Sequence, residues 1–194
     1  MEIKTIAIVG ASSLGRRIAY AAMLAGYRTV LEDVSLSALE QGIASIVQSL
    51  DDACARGKVP AAVAEAAFAN LSAAISAEGA SREADLIIEA VADEMEMKIE
   101  LFTIFDKFAK PGAIFASTTT SLSITEMAAV TFCSERCIGM RFGPETEKPG
   151  RLELVKGRAT SEEITQACRE VGFRMGRDVS VLSDEQVTSA SAGD

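Results

Sequence analysis

Two glycines stand five positions apart where the first apolar run of the chain meets its first helix-forming stretch. The segment is Gly10-Ala-Ser-Ser-Leu-Gly15, and Asp33 follows about 20 residues on, at the end of the next apolar run. In a dinucleotide-binding turn the first glycine permits the bend, and the last lets helix and strand pack closely. An acid at this distance binds the adenosine ribose and repels a 2′-phosphate. The pattern therefore predicts an NAD site rather than an NADP site.

The middle of this turn departs from the usual pattern. A second glycine normally lets the backbone approach the pyrophosphate, which rests on the helix N-terminus, but Ser12 occupies its place. The serine limits close approach, although its hydroxyl is able to hydrogen-bond a phosphate. Leu14 is assigned to the cofactor site with the turn. The alternative is that Gly10 and Gly15 serve only the turn and its packing, and that Asp33 is a solvated loop acid.

Short apolar runs alternate with helix-forming stretches along nearly the whole chain. Strands are predicted at 3–9, 27–32, 71–75, 86–91, 113–117, 136–142, 152–155 and 179–182, and helices at 13–25, 35–56, 60–69, 94–110 and from 161. Such alternation indicates a parallel sheet covered on both faces. We predict a three-layer α/β fold of the doubly wound Rossmann type, mostly parallel, with a helical hairpin inserted after strand two. Residues 1–184 form this domain, and 185–194 form a short flexible tail.

The composition narrows the classes of function. The 194 residues are 48% hydrophobic and carry a net charge of −9, which argues against binding to nucleic acid or an anionic membrane. No run of 18 apolar residues or signal-peptide profile appears, so the cytoplasm is the expected compartment. The four cysteines lack the partners of a zinc site, so we expect no metal and interpret them as small apolar packing residues. The chain contains no histidine, which excludes an imidazole base supplied by the chain alone.

Seven segments, in this order, carry a resemblance to a known family. They are Ile6-Ala-Ile-Val-Gly10, Leu31-Glu-Asp-Val-Ser35, Ile88-Glu-Ala-Val91, Lys98-Ile-Glu-Leu-Phe102, Ile114-Phe-Ala-Ser117, Thr120-Ser-Leu-Ser-Ile-Thr125 and Ile138-Gly-Met140. The chain resembles the N-terminal domain of NAD-dependent 3-hydroxyacyl-CoA dehydrogenases over nearly all its length. The helical hairpin is also a feature of that family. The resemblance implies an oxidoreductase of fatty acid metabolism.

The catalytic positions of the family are altered here. In the family a histidine takes the hydroxyl proton while hydride passes from C3 of the acyl chain to the nicotinamide. A glutamate orients this histidine, and a serine holds the substrate oxygen. These positions fall at Arg141, Glu153 and Thr120, and an asparagine of the family falls at Pro144 in the divergent stretch 143–150. Arginine is no general base near neutral pH. Arg141 is expected either to pair with Glu153 or to bind an anionic ligand.

The resemblance also implies positions that contact the cofactor or CoA. Asp93 and Lys98 match positions near the nicotinamide-side ribose, and Ala90 is assigned to the cofactor site with them; a solvated helix start is the alternative. Basic residues on the hairpin help to hold CoA in the family. Here residues 49–56 are rich in acids and alanines, which predicts weak CoA affinity. Arg16 and Arg17 are expected either near phosphate or on a solvated helix face.

Three functions remain open on the sequence. The family continues after Asp184 into an all-helical domain, whereas this chain ends within ten residues, so an open half-site is expected. The first function is a degenerate NAD-binding protein with little turnover. The second is an active 3-hydroxyacyl-CoA oxidoreductase subunit completed by a partner. The third is a non-enzymatic interaction module whose exposed face docks a protein or a second copy of the chain.

Overall fold

The computed structural model describes residues 1–144 and 149–186, in which seven helices flank an eight-stranded sheet. The strands are β1 (Thr5–Val9), β2 (Arg28–Glu32), β3 (Leu71–Ala74), β4 (Leu86–Glu89), β5 (Ile114–Ser117), β6 (Cys137–Phe142), β7 (Gly150–Lys156) and β8 (Arg177–Ser183). The helices are α1 (Ser13–Leu24), α2 (Leu36–Ala55), α3 (Ala61–Ala69), α4 (Ala77–Ser81), α5 (Met95–Phe108), α6 (Ile124–Ala128) and α7 (Glu162–Arg174). A 3-10 turn at Ser134–Arg136 precedes β6.

The sheet has the doubly wound order β3-β2-β1-β4-β5-β6-β7-β8. The six strands from β3 to β6 run parallel, whereas β7 is antiparallel to β6 and β8 is parallel to β7. The chain winds from β1 toward β2 on one side and crosses to β4 on the other. This reversal opens a crevice at the carboxyl ends of β1 and β4, which is where open α/β sheets bind ligands. The predicted fold class is confirmed.

Both faces of the sheet are buried, which explains why its strands are nearly continuous apolar runs. In β1, Ile6 and Ile8 pack into the core under α1, α2 and α7. Ala7 and Val9 point to the opposite core, which α4, α5 and α6 cover. Burial on both faces therefore holds the ends of β1, β2 and β4 in place, and the loops that follow these strands form the crevice.

The predicted elements are present, with boundaries that shift by a few residues. Helices α2 and α7 begin at serine N-caps, because the hydroxyls of Ser35 and Ser161 accept hydrogen bonds from the N–H groups three residues on. Two short helices, α4 and α6, were not predicted. The S-x-x-E pattern of Ser123 and Glu126 is the sequence signal for α6, and Ser123 does cap it.

The remaining expectations concern the burial of the cysteines, membrane-spanning helices, metal-binding clusters and the C-terminal tail. Cys133, Cys137 and Cys168 are buried, as expected for apolar packing, and Cys54 is half-buried. Within 1–144 and 149–186, no helix is both long and apolar enough to span a bilayer, and no three metal-ligating side chains cluster. At the start of the predicted tail, the Gln186 side chain accepts a hydrogen bond from the Ser183 N–H. The rest of that tail, 187–194, lies outside the described residues, as does 145–148 of the divergent stretch.

Candidate functional site: the crevice at the ends of β1, β2 and β4

The glycine turn leaves no room for side chains. A Cβ on Gly15 would stand 2.0 Å from the carbonyl oxygen of Gly10, so α1 packs directly on the end of β1. Gly10 has a φ of +108°, and a Cβ there would stand 2.9 Å from the carbonyl oxygen of Ala90. Leu14, in the first turn of α1, is half-buried against the core. The turn and the loop after β4 therefore approach each other at backbone distance, which is the geometry that a pyrophosphate-binding turn requires.

Ser12 serves the protein itself rather than presenting a free hydroxyl. Its Oγ accepts a hydrogen bond from the Gly15 N–H at 3.1 Å and donates one to the carbonyl oxygen of Ala90 at 2.8 Å. Ser12 is thus the N-cap of α1 and ties the turn to the loop after β4. In this structure the hydroxyl proton is donated to Ala90 rather than left for a phosphate, and Ser12 as a cofactor-binding residue stays a prediction.

Asp33 lies beside the turn, with both carboxylate oxygens hydrogen-bonded. Its Oδ2 accepts from the Ala11 N–H and its Oδ1 from the Ser35 N–H, each at 2.9 Å. A pocket of about 420 Å³ opens next to it, between the end of β2 and helices α4 and α5. Val34, Met97 and Leu101 supply apolar walls. An apolar pocket edged by acids suits the adenosine half of a dinucleotide, and Asp33 as its ribose ligand stays a prediction.

A buried ion pair lies between β4 and α5. The Lys98 ammonium is 2.7 Å from both carboxylate oxygens of Glu89, and neither side chain is exposed to solvent. The Val91 N–H and the Ser117 hydroxyl complete the hydrogen bonds of Glu89, at 2.7 Å and 2.6 Å. Lys98 was predicted at the cofactor site, whereas Glu89 was not predicted as its buried partner. The sequence did contain a signal, because Glu89 is an acid at the end of the buried run 86–89 and a buried acid requires a partner.

Asp93 joins this pair to the loop after β5. Its Oδ1 is 3.5 Å from the Lys98 ammonium, and its Oδ2 accepts from the Thr120 N–H at 3.3 Å and the Ser121 hydroxyl at 3.1 Å. Burial alone would raise the pKa of Asp93, but the Thr119 hydroxyl, the charge of Lys98 and these loop donors hold it below its ordinary value. The Thr120 hydroxyl lies 3.5 Å from the same Oδ2. Asp93, Lys98 and Thr120 are thus brought together as one cluster.

Arg141 is bound to this loop rather than to Glu153. Its Nε donates to the carbonyl oxygen of Thr119 at 2.9 Å, and its Nη2 donates to that of Thr120. Glu153 stands opposite Arg141 in the β6–β7 register, yet its carboxylate pairs with Arg151 at 3.5 Å. Burial lowers the pKa of Arg141, and the charge of Glu153 opposes that shift. The expected direct ion pair is therefore not made, and the guanidinium is held in place by backbone carbonyls.

Basic side chains converge at a second, separate groove. It encloses about 410 Å³ between α1 and the end of α2, and Arg16, Arg17, Arg56 and Lys58 line it. Asp52 also borders the groove and lies 3.6 Å from the Arg56 guanidinium. The acids of 49–56 predicted weak CoA affinity from sequence alone. Folding adds cations from α1 and the following loop, so the groove as a whole is basic.

Asp184 directly follows β8. Its structural role was not predicted from the sequence. Only 5% exposed, it accepts hydrogen bonds from the Ser123 hydroxyl at 2.7 Å and from the Ile124 and Thr125 N–H groups at 3.0 Å and 2.9 Å. These bonds fasten the end of β8 to the start of α6. The sequence offered no local signal for them, because the partners lie about 60 residues apart.

Fold and site together define a dinucleotide-binding α/β domain. The family model for the NAD-binding domain of 3-hydroxyacyl-CoA dehydrogenase matches residues 5–185. The chain therefore belongs to this family of NAD-binding oxidoreductase domains. The resemblance found in the seven sequence segments is confirmed, and so is NAD as the cofactor.

Relatives of known sequence and structure agree with this assignment. The chain is 35% identical to the probable 3-hydroxybutyryl-CoA dehydrogenase of Bacillus subtilis, over 95% of this chain and 64% of that protein. It is 34% identical to the 3-hydroxybutyryl-CoA dehydrogenase of Bradyrhizobium diazoefficiens, over 94% and 62%. The (S)-3-hydroxybutyryl-CoA dehydrogenase of Ralstonia eutropha superposes with a TM-score of 0.86 at 30% identity, covering 94% of this chain and 64% of that one. The chain thus spans less than two thirds of the length of these relatives.

Proposed function

We propose that the chain is an NAD-binding domain of the 3-hydroxyacyl-CoA dehydrogenase family that holds cofactor and acyl-CoA but has little turnover of its own. One observation carries the proposal: the guanidinium of Arg141, which aligns by sequence resemblance with the proton-accepting histidine of the family, is fixed by the carbonyl oxygens of Thr119 and Thr120. A guanidinium stays charged near neutral pH and cannot accept the hydroxyl proton. Loss of general-base help removes a factor of about 10² to 10⁴ in rate.

The residues of the crevice fit the cofactor. Gly10 and Gly15 form a cradle that any Cβ would fill, and the N-terminus of α1 lies behind it for the pyrophosphate. Asp33 stands at the pocket for the adenosine half, and its charge disfavours a 2′-phosphate. Bound NAD would supply the hydride acceptor. Asp93 would orient the nicotinamide-side ribose, and the buried ammonium of Lys98, 3.5 Å from its carboxylate, would hold Asp93 in place.

The basic groove supports an acyl-CoA as the second ligand, because CoA carries several phosphate charges. The double variant Arg56→Ala/Lys58→Ala should weaken binding of CoA to the chain about tenfold, since it removes two cations that line the groove. The loss should shrink at high salt, which screens exposed charges. Isothermal titration at two salt concentrations measures it. Lys107→Ala, an exposed site away from the groove, is the matched control. A dissociation constant within twofold of the parent's in the double variant contradicts this assignment.

Titration and turnover of the purified chain test the proposal together. NAD at a hundred times its dissociation constant should add about 2.7 kcal/mol of stability, seen as a thermal shift that NADP does not produce. Acetoacetyl-CoA with NADH should then give almost no change in absorbance. Absence of any NAD shift contradicts the binding half of the proposal. Turnover typical of a dehydrogenase contradicts the other half, and turnover only with an added partner supports the active-subunit alternative instead.

A further inference from the structure

A second carboxyl group borders the adenosine pocket, one residue before Asp33. Glu32 is the last residue of β2, and its side chain points to the same side of the sheet as α4 and α5. It is only 2% exposed. Its Oε1 is fully buried and has no hydrogen-bond partner among the residues that the structure describes. Buried polar atoms nearly always have a partner, so an orphaned carboxyl oxygen at a ligand pocket indicates a missing donor.

The charges around the pocket make the ionised form of the Glu32 carboxyl energetically costly. Asp33 follows it directly, and Glu78 of α4 and Glu100 of α5 border the same cavity. Among residues 1–144 and 149–186, no basic side chain lines this cavity. The lining positions on β1 and after β4, among them Val9, Gly10 and Val91, are uncharged. Burial raises the pKa of Glu32 to about 7, and the charge of Asp33 adds to the rise while the Gly10 N–H opposes it.

We propose that Glu32 is a specificity-determining residue for the cofactor, accepting a hydrogen bond from an N–H or O–H donor on the adenosine half of NAD. Two donors have this chemistry, the adenine amino group and a ribose hydroxyl. Asp33 already accepts two backbone N–H groups, whereas Oε1 of Glu32 has no partner within the described part of the chain. Above pH 7 Glu32 would add a second negative charge to that of Asp33 and so further disfavour the 2′-phosphate of NADP. The inference rests on NAD binding and is independent of whether the chain turns over substrate.

The ionised carboxylate is the better acceptor, so affinity for NAD should rise with pH as Glu32 loses its proton. Between pH 6 and pH 8 the dissociation constant of the parent should fall about tenfold, because these values bracket a pKa of about 7. Stability should change in the opposite direction. Folding raises the pKa of Glu32 from 4.5 to about 7. The contribution of Glu32 to the free energy of unfolding therefore falls as the pH rises from about 4.5 to about 7.

Three substitutions measured by isothermal titration with NAD test the proposal. Glu32→Leu should weaken binding at pH 8 about tenfold or more, since a hydrogen bond to a charged group is lost. Glu32→Gln should abolish the rise in affinity between pH 6 and pH 8. This variant still tests the proposal if the leucine variant does not fold. Glu65→Gln removes the same charge from exposed α3, outside the pocket, and should bind like the parent.

A cofactor analogue separates the two donors. In nicotinamide hypoxanthine dinucleotide an oxo group replaces the adenine amino group. If the parent binds this analogue as weakly as the leucine variant does, the adenine amino group is the donor. If the parent binds it like NAD and Glu32→Leu still weakens it, a ribose hydroxyl is the donor. Binding of NAD to Glu32→Leu within twofold of the parent at pH 8, or a pH dependence retained in Glu32→Gln, overturns the proposal. A parent that does not bind NAD overturns it along with the proposed function.

Discussion

Arg141→His should raise the rate at which the chain reduces acetoacetyl-CoA with NADH by about 10²-fold to 10⁴-fold, the usual worth of general acid–base help. An imidazole there is able to give a proton to the substrate oxygen as hydride reaches C3, which a guanidinium cannot do near neutral pH. Glu153 stands opposite in the register and Asp93 is near, so their charges would favour the protonated form. The measurement is the steady-state loss of NADH absorbance.

Arg141→Gln is the matched control for this gain. It removes the cation and the hydrogen bonds to Thr119 and Thr120 without supplying a proton donor, so its rate should equal that of the parent. The chain contains no other histidine, and the introduced imidazole therefore gives isolated proton resonances whose titration is measurable by NMR. An equal gain in the glutamine variant contradicts the prediction. So does an unchanged rate in a folded histidine variant whose imidazole titrates near neutral pH.

Lys98→Met should lower the free energy of unfolding by about 3 kcal/mol or more, the usual cost of removing one partner from a buried ion pair. The substitution leaves the Glu89 carboxylate buried with only the Val91 N–H and the Ser117 hydroxyl as donors. Urea unfolding monitored by circular dichroism measures the change, with an unchanged m-value as the check that the two-state transition is preserved. Lys107→Met, on an exposed position of the same helix, should stay within about 1 kcal/mol of the parent.

A second substitution separates loss of charge balance from loss of packing. Glu89→Gln combined with Lys98→Met removes both charges and keeps a side chain of nearly the same shape. This double variant should recover at least half of the lost stability, because no unpaired buried charge remains. If the double variant is as unstable as Lys98→Met alone, the stabilisation comes from the packing of the lysine stem rather than from its charge.

Local patterns in the sequence determined the fold and the family. Apolar runs of four to seven residues between helix formers give strands buried on both faces, because each residue's surroundings in such a sheet are apolar whichever side it points to. Gly10 and Gly15 predicted the turn for a local reason as well, since a tight turn and close packing exclude side chains there. The N-caps Ser35 and Ser161 bond to N–H groups three residues away. The caps and the bend of the turn operate within one element or across a single turn, which is why short patterns reveal them.

The sequence also predicted that Arg141 lies at a catalytic position of the family, but it did not predict the hydrogen-bond partners of Arg141. Opposite charges at Arg141 and Glu153 suggested a pair, and the register does place them opposite each other. Yet the loop after β5 brings the carbonyl oxygens of Thr119 and Thr120 within reach of the guanidinium, and Arg151 takes the glutamate. Acceptors on different elements compete for the guanidinium. Which of them binds it depends on distances in the folded chain, and the sequence pattern does not contain these distances.

Tertiary structure alone decided the electrostatics of the site. Glu89 and Lys98 become a buried pair only because α5 folds back over β4, and the basic groove exists only because α1 lies beside the end of α2. Glu32 is the clearest case. In the sequence it is one acid next to another. At the end of β2, the sheet together with α4 and α5 removes it from water, and one of its oxygens is left without a hydrogen bond from any residue in 1–144 and 149–186. The cost of a charge depends on its solvation and on its partners, and both are set by the packing of segments distant in the chain.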